Sequence, residues 1–292
     1  MFEIFDEQKE NKIFDDTDYA LALRTFDIAV CEAMAVSQTI GSQYVAPYIG
    51  YSSHIFTRMN VHAKALIEAV PRSRWVKRNA VSWDLCVSAS HTRALMEGFL
   101  LFSYLSEVPG SELEWQTKVN IMHMNDCARR KRLFKNFDND IERNKFLSME
   151  DEIKARLLGN EYFLSLDMKL RKQCLNGNVL MIPSRDEILT QLGIDCGQFN
   201  GLFDTLSNYT HILPMSFYNM EANGRGTGIR NDADFCYIIM SLLISANILS
   251  FATDTMVNFF PTVSGVRKGL KSKFNQGPKE NTPTPFKGRK YN

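Results

Sequence analysis

The sequence predicts an all-α protein, an antiparallel multi-helix bundle. Apolar residues recur at helical spacing along most of the 292-residue chain. No stretch shows the sustained alternation of apolar and polar residues that marks a set of strands. Hydrophobic residues make up 45% of the chain and charged residues 23%, which is ordinary for a soluble globular protein. We therefore expect a single helical domain over residues 1–260 and a separate tail over residues 261–292.

The helices can be followed in order by their start and stop signals. Acidic residues open the helix over residues 16–40, and Pro71 closes the next one, over residues 53–70. A third helix is predicted from about Lys77 to Glu107. Two of the other helices begin at capping boxes, one formed by Ser111 and Glu114 and one by Ser184 and Glu187. Glycines and turn residues mark the remaining helix ends. The helix that follows Ser111 is predicted to end near Phe137. The remaining helices are predicted to cover residues 138–158, 161–174, 184–193, 198–213 and 232–260.

One apolar segment is long enough to cross a membrane. Residues 235–253 hold nineteen residues without a charge. The segment also contains several Ser, Asn and Thr residues, and a helix buried at the centre of a bundle is apolar on all sides as well. We therefore expect a buried core helix and no membrane span. The acidic start of the chain lacks a secretory signal, and six scattered cysteines without a CxxC pair favour reduced thiols in a cytoplasmic protein.

The C-terminal tail differs from the rest in charge. From Pro261 onward the chain has eight Lys and Arg residues and one acid, a charge of +7, so residues 1–260 carry −6. The tail has several prolines and too few apolar residues to fold by itself, which predicts a flexible, disordered segment. A basic arm of this kind could recruit RNA or touch an anionic lipid.

Polar residues within otherwise apolar helices mark the candidate site. Arg93 and Glu97 lie four residues apart in the third helix, on the same face. If that face is buried, the ion pair needs hydrogen-bonding partners from another helix. The segment LSNYTHILP offers them, since Ser207, Tyr209 and His211 can donate or accept hydrogen bonds. The sequence therefore predicts that these two segments meet in the core.

Two interpretations of this cluster stay open. One is a structural network that fixes the register of the helices. The other is a cleft in which His211 is a general acid or base and Arg93, paired with Glu97, stabilises a negative charge. Ser207 and Tyr209 would then orient a substrate, with His91 as a further candidate. No HExxH or ExxH spacing is present, so we predict neither a metal nor a cofactor.

A family resemblance rests on the segments RALMEGFLLFSYL and IPSRDEILTQLGID…FNGLFDTLSNYTHILPMSF. Over residues 80–220 they resemble a family of uncharacterised bacterial helical proteins that carry an RxxxE helix and a later LSxYxH motif. That family is similar to the HEPN superfamily, many of whose members are metal-independent ribonucleases in toxin–antitoxin and phage-defence systems. Its RxxxxH motif lines a cleft at a dimer interface. This chain departs from that pattern because no arginine precedes His211 on the same helix.

The resemblance implies a HEPN-like effector that cleaves or binds RNA, acting alone or as a homodimer. The site residues would be Arg93, Glu97, Ser207, Tyr209 and His211, with the arginine and the histidine on different helices. The alternative is a non-catalytic helical module that binds a partner protein or a small ligand through the same pocket. The sequence leaves the substrate and the oligomeric state open.

Overall fold

The structure is a computed structural model that describes residues 14–218, 220 and 224–283. Within these ranges its regular secondary structure is helical, with no strand, which confirms the predicted all-α class. Three 3₁₀ turns follow the last α-helix, at Pro261–Val266, Gly269–Lys271 and Lys279–Asn281. The α-helices in chain order are α1 Asp16–Ile40, α2 Pro47–Ala69, α3 Cys86–Ser106, α4 Glu112–Asn136, α5 Asp140–Leu158, α6 Glu161–Ser165, α7 Met168–Leu175, α8 Arg185–Gln191, α9 Cys196–Thr210, α10 Pro214–Tyr218 and α11 Asp232–Phe259.

Side-chain caps begin several of the helices where the sequence predicts them. Ser111 Oγ accepts the backbone N–H of Glu114 at 3.1 Å, while the Glu114 carboxylate accepts the N–H of Gly110 at 2.8 Å. At α8, Ser184 and Glu187 form a complete capping box, with each side chain accepting the other residue's N–H. These bonds satisfy N–H groups that a helix leaves without a partner in its first turn.

The third helix begins later than predicted, at Cys86 rather than near Lys77. The backbone N–H of Trp83 donates to the carbonyl of Gly228 at 2.9 Å, so the chain before α3 pairs with a distant loop. Asp84 then accepts the N–H of Cys86 at 2.7 Å and starts the helix. Helical spacing of the apolar residues did not reveal this long-range pairing.

The chain divides into two compact units. The first unit contains the chain up to Ser103 and again from Leu189, and the second is Tyr104–Ile188. The second unit has a core of its own, because the apolar faces of α4 and α5 are buried on each other and on α6 and α7. The members of this core include Ile121, Met124, Cys127, Ile153, Leu157, Phe163 and Cys174.

Helix α11 is a core helix of the first unit. It packs along α1 and α2, and Phe251 contacts Phe99 of α3 edge to face at a centroid distance of 5.4 Å. Among the described residues it is the one helix that passes the length and composition test for a membrane span. Its most apolar window is 67% buried, as in the core helix of a soluble protein. This burial agrees with the predicted core helix.

The expected flexible tail is packed over residues 261–283. Phe274 is fully buried between Trp75, at a stacked centroid distance of 5.7 Å, and a cluster on α1 that includes Cys31. Val263 is buried too, and Arg267 pairs with Glu32 at 2.8 Å. The prediction was wrong here because these few apolar residues complete a core that α1 provides. Lys287, Arg289 and Lys290 lie outside the described residues.

A buried carboxylate connects this segment to α1. Asp27 is 6% exposed and accepts two hydrogen bonds from Arg74, at 2.5 and 3.0 Å, and one from the indole of Trp75 at 2.8 Å. Arg74 also donates to Asn281 Oδ1 at 3.0 Å, and the Asn281 amide donates to two backbone carbonyls of the tail segment. Burial and the nearby Asp27 raise the pKa of the Cys31 thiol to about 12. This cluster is therefore structural.

Candidate functional site

Helices α3 and α9 meet at Arg93, as the sequence predicts. The Nε of Arg93 donates to Ser207 Oγ at 2.7 Å, and Ser207 donates in turn to the carbonyl of Phe203 at 2.7 Å. The guanidinium also lies over the Phe203 ring, 4.7 Å from its centroid. On its own helix, Arg93 Nη2 pairs with Glu97 at 3.0 Å. The RxxxE and LSxYxH segments are thus in direct contact.

The ion pair lies at the surface and not in a dry interior, which corrects the premise of a buried pair. The Arg93 side chain is 22% exposed and that of Glu97 is 52% exposed. The side of α3 that carries Glu97 therefore faces solvent, and the core lies on the side of its neighbours Leu95, Met96 and Phe99. Of the five N–H donors of the Arg93 guanidinium, two are used in these contacts with Ser207 and Glu97.

Tyr209 lies apart from Arg93, although the sequence grouped them. It is 4% exposed, and its hydroxyl shares a hydrogen bond with the side chain of Arg225. Burial raises the pKa of the Tyr209 phenol, and the hydrogen bond to Arg225 opposes that rise. Side chains two positions apart in an α-helix point about 200° apart around the helix axis, so Ser207 and Tyr209 project to different sides of α9.

His211 is exposed at the C-terminal end of α9, and not buried against Arg93 as predicted. Its backbone N–H donates to the carbonyl of Ser207 at 3.1 Å, so the imidazole follows Ser207 by one helical turn. The next residue, Ile212, has a φ of +52°, and Leu213 N–H donates to the carbonyl of Asn208 at 2.9 Å. This bond is the long hydrogen bond of a Schellman motif.

Isoleucine is an unusual residue in that position. A β-branched side chain in the left-handed region is strained, and glycine is the common choice there. Ile212 is also 74% exposed, so little packing offsets the strain. Such strain is often found beside functional residues, and here it adjoins His211.

His91 contacts α2 rather than α9. Its Nδ1 lies 3.4 Å from Nδ1 of His62, and the two rings are partly buried. Burial lowers the pKa of both imidazoles, and the neighbouring His91 and Arg58 lower that of His62 further. Because His91 precedes Arg93 by two residues, it projects to a different side of α3, away from Ser207.

The sequence analysis missed Phe203, His62 and the strained Ile212. Phe203 could have been found, since it precedes Ser207 by four residues and therefore shares its face of the helix. The pairing of His62 with His91 joins two helices and has no local sequence signal. The strain at Ile212 depends on where α9 ends, and the sequence prediction carried that helix on to residue 213.

Comparison with known proteins adds no relative: no family model, no curated protein and no solved structure matches this chain. Within residues 14–218, 220 and 224–283, no group of three or more His, Cys, Asp or Glu side chains could hold a metal ion.

Proposed function

We propose that the protein is a HEPN-like effector that acts on RNA at a surface site formed by Arg93, Glu97, Ser207 and His211. The observation that carries this proposal is the 2.7 Å contact between Arg93 Nε and Ser207 Oγ. It joins the RxxxE segment to the helix that ends in His211. An arginine and a histidine on different helices can then serve one site.

The exposure of the site favours a large substrate. An imidazole at the surface can reach the 2′-hydroxyl of a single-stranded RNA, whereas a buried one could not. In this proposal His211 removes the 2′-hydroxyl proton, and the 2′-oxygen attacks the adjacent phosphorus as the bond to the 5′-oxygen breaks. The products are a 2′,3′-cyclic phosphate and a 5′-hydroxyl, whose oxygen takes its proton from water. Arg93 stabilises the negative charge on the phosphorane through N–H groups not used by Ser207 and Glu97. Glu97 and Ser207 hold the guanidinium in place.

The test is cleavage of a labelled single-stranded RNA by the purified full-length protein in the presence of EDTA. We expect His211→Ala and Arg93→Ala to lower the cleavage rate by a factor of roughly 10² or more. His54, which is exposed on α2, provides a matched control, because His54→Ala removes an exposed imidazole outside the site. Melting temperatures of all three variants should stay close to that of the wild type.

Two results would contradict this proposal. The first is a wild-type protein that leaves both the labelled RNA and total cellular RNA intact. The second is full activity in His211→Ala, which would remove the catalytic role of the imidazole.

A cytoplasmic location and RNA recruitment by the basic residues after Pro261 belong to the same proposal. The exposed Lys268, Lys271, Lys273 and Lys279 support recruitment.

A non-catalytic binding module is the second candidate. The observation that favours it is that Glu97, Ser207 and Phe203 already hold the Arg93 guanidinium. A guanidinium held on three sides is also typical of a structural link between helices. In that case RNA would not be turned over, and Arg93→Ala would weaken binding of a protein partner or small ligand instead.

A further inference from the structure

A groove in the second unit lies outside the site described above. It has a volume of about 580 Å³, within the usual range for sites that bind small molecules. The N-terminal half of α4 forms one wall, and the corner between α5 and α6 forms the other. Its polar lining includes Glu112, Gln116, Asn120, His123 and Arg156.

Two side chains that can carry a positive charge line the groove. They are His123 from α4 and Arg156 from α5, and Arg156 lies close enough for its charge to act on the imidazole. Burial lowers the pKa of His123, the like charge of Arg156 lowers it further, and Asp126 opposes these effects. Among the described residues no carboxylate forms an ion pair with Arg156. An anion placed between the two groups would satisfy Arg156 and favour protonation of His123.

The rest of the groove suits a ligand whose remaining part is partly apolar and partly able to form hydrogen bonds. Trp115 and Val119 add apolar surface to the wall. Gln116 donates to Glu112 at 3.1 Å and Asn120 donates to a backbone carbonyl at 2.8 Å, which orients both amides. Each amide has two N–H donors and a carbonyl oxygen, so each keeps hydrogen-bonding capacity. Glu112 lies eleven residues before His123, about 16 Å along the helix.

We propose that this groove binds a small phosphate monoester with a planar or partly apolar body, such as a nucleoside monophosphate. The phosphate lies between His123 and Arg156, and the body extends along Trp115 and the amides towards Glu112. A phosphate dianion accepts hydrogen bonds from a guanidinium and an imidazolium together. This inference concerns the second unit and does not depend on the function proposed for the first.

Calorimetric titration of the full-length protein with adenosine monophosphate, and separately with inorganic phosphate, tests the proposal. We expect saturable binding of the nucleotide, tighter than that of phosphate. Arg156→Gln and His123→Gln should each weaken nucleotide binding by roughly 10- to 100-fold. Arg132→Gln is the matched control, since it removes an exposed cation of the same unit outside the groove, and it should change affinity less than twofold.

An NMR titration gives a second readout. Nucleotide binding should raise the pKa of the His123 imidazole, because the phosphate offsets the charge of Arg156. The proposal is wrong if the nucleotide does not bind, or if it binds no tighter than inorganic phosphate. It is equally wrong if Arg156→Gln, with an unchanged melting temperature, binds as tightly as Arg132→Gln.

Discussion

Two arginines each connect distant parts of the first unit, and they do so in different ways. Arg74 donates two hydrogen bonds to the Asp27 carboxylate, and Asp27 is almost completely buried. Arg93 pairs with Glu97, which is half exposed, and reaches the other helix through the neutral hydroxyl of Ser207. The Asp27 carboxylate would be left without its cation if Arg74 moved away, whereas water can solvate Glu97 if Arg93 moves.

The comparison separates a contact that stabilises the fold from one that can serve a reaction. An ion pair with a buried carboxylate is costly to break, because the carboxylate left behind has no water to solvate it. A half-exposed pair contributes little to stability, so its arginine can change partners when a ligand arrives. We therefore expect the largest losses of stability at Asp27 and the largest losses of function at Arg93.

The largest effect on stability is expected for Asp27→Ala. Removing the carboxylate takes away two hydrogen bonds of Arg74 and the one of the Trp75 indole, and it loosens the segment that Asn281 holds. We expect the free energy of unfolding to fall by about 3 kcal/mol, measured by urea denaturation. Asp27→Asn, which keeps one acceptor oxygen, should lose less. A loss below about 1 kcal/mol in Asp27→Ala would remove the distinction between the two arginines.

A gain in stability is expected for Ile212→Gly. Glycine adopts a positive φ without the clash that isoleucine meets, and Ile212 makes little packing contact to lose. We expect the free energy of unfolding to rise by about 1 kcal/mol. If the strained end of α9 also positions His211, the variant will cleave RNA more slowly while melting at a higher temperature. An unchanged or lower melting temperature would show that the isoleucine is not strained.

The smallest change in stability is expected for Arg93→Ala. The loss should be about 0.5 kcal/mol, and added salt should reduce it because the Glu97 pair is exposed. Urea denaturation at low and high ionic strength measures both effects. Glu97→Ala, which removes the exposed partner, should show the same salt dependence. A loss as large as that of Asp27→Ala would assign Arg93 to the structural class and favour the non-catalytic candidate.

The sequence allowed a good prediction of the helices and of one contact, for local reasons. Capping residues such as Ser111 and Ser184 act on N–H groups three residues away, so their effect can be read without the tertiary structure. Arg93 and Ser207 were paired because polar groups in apolar helices need partners. The burial of Glu97 was predicted wrongly, because the side of a helix that meets solvent depends on where its neighbours pack.

The sequence by itself determined that the chain is helical, where most helices begin and end, and which polar residues interrupt their apolar faces. The tertiary structure decided that the chain forms two units, that residues 261–283 pack on α1, and that His91, Tyr209 and His211 point in three directions. The physical reason is the distance along the chain over which each kind of interaction acts. Periodicity and capping act within a few residues, whereas Phe274 is buried and Asp27 is paired only because segments distant in the chain come together.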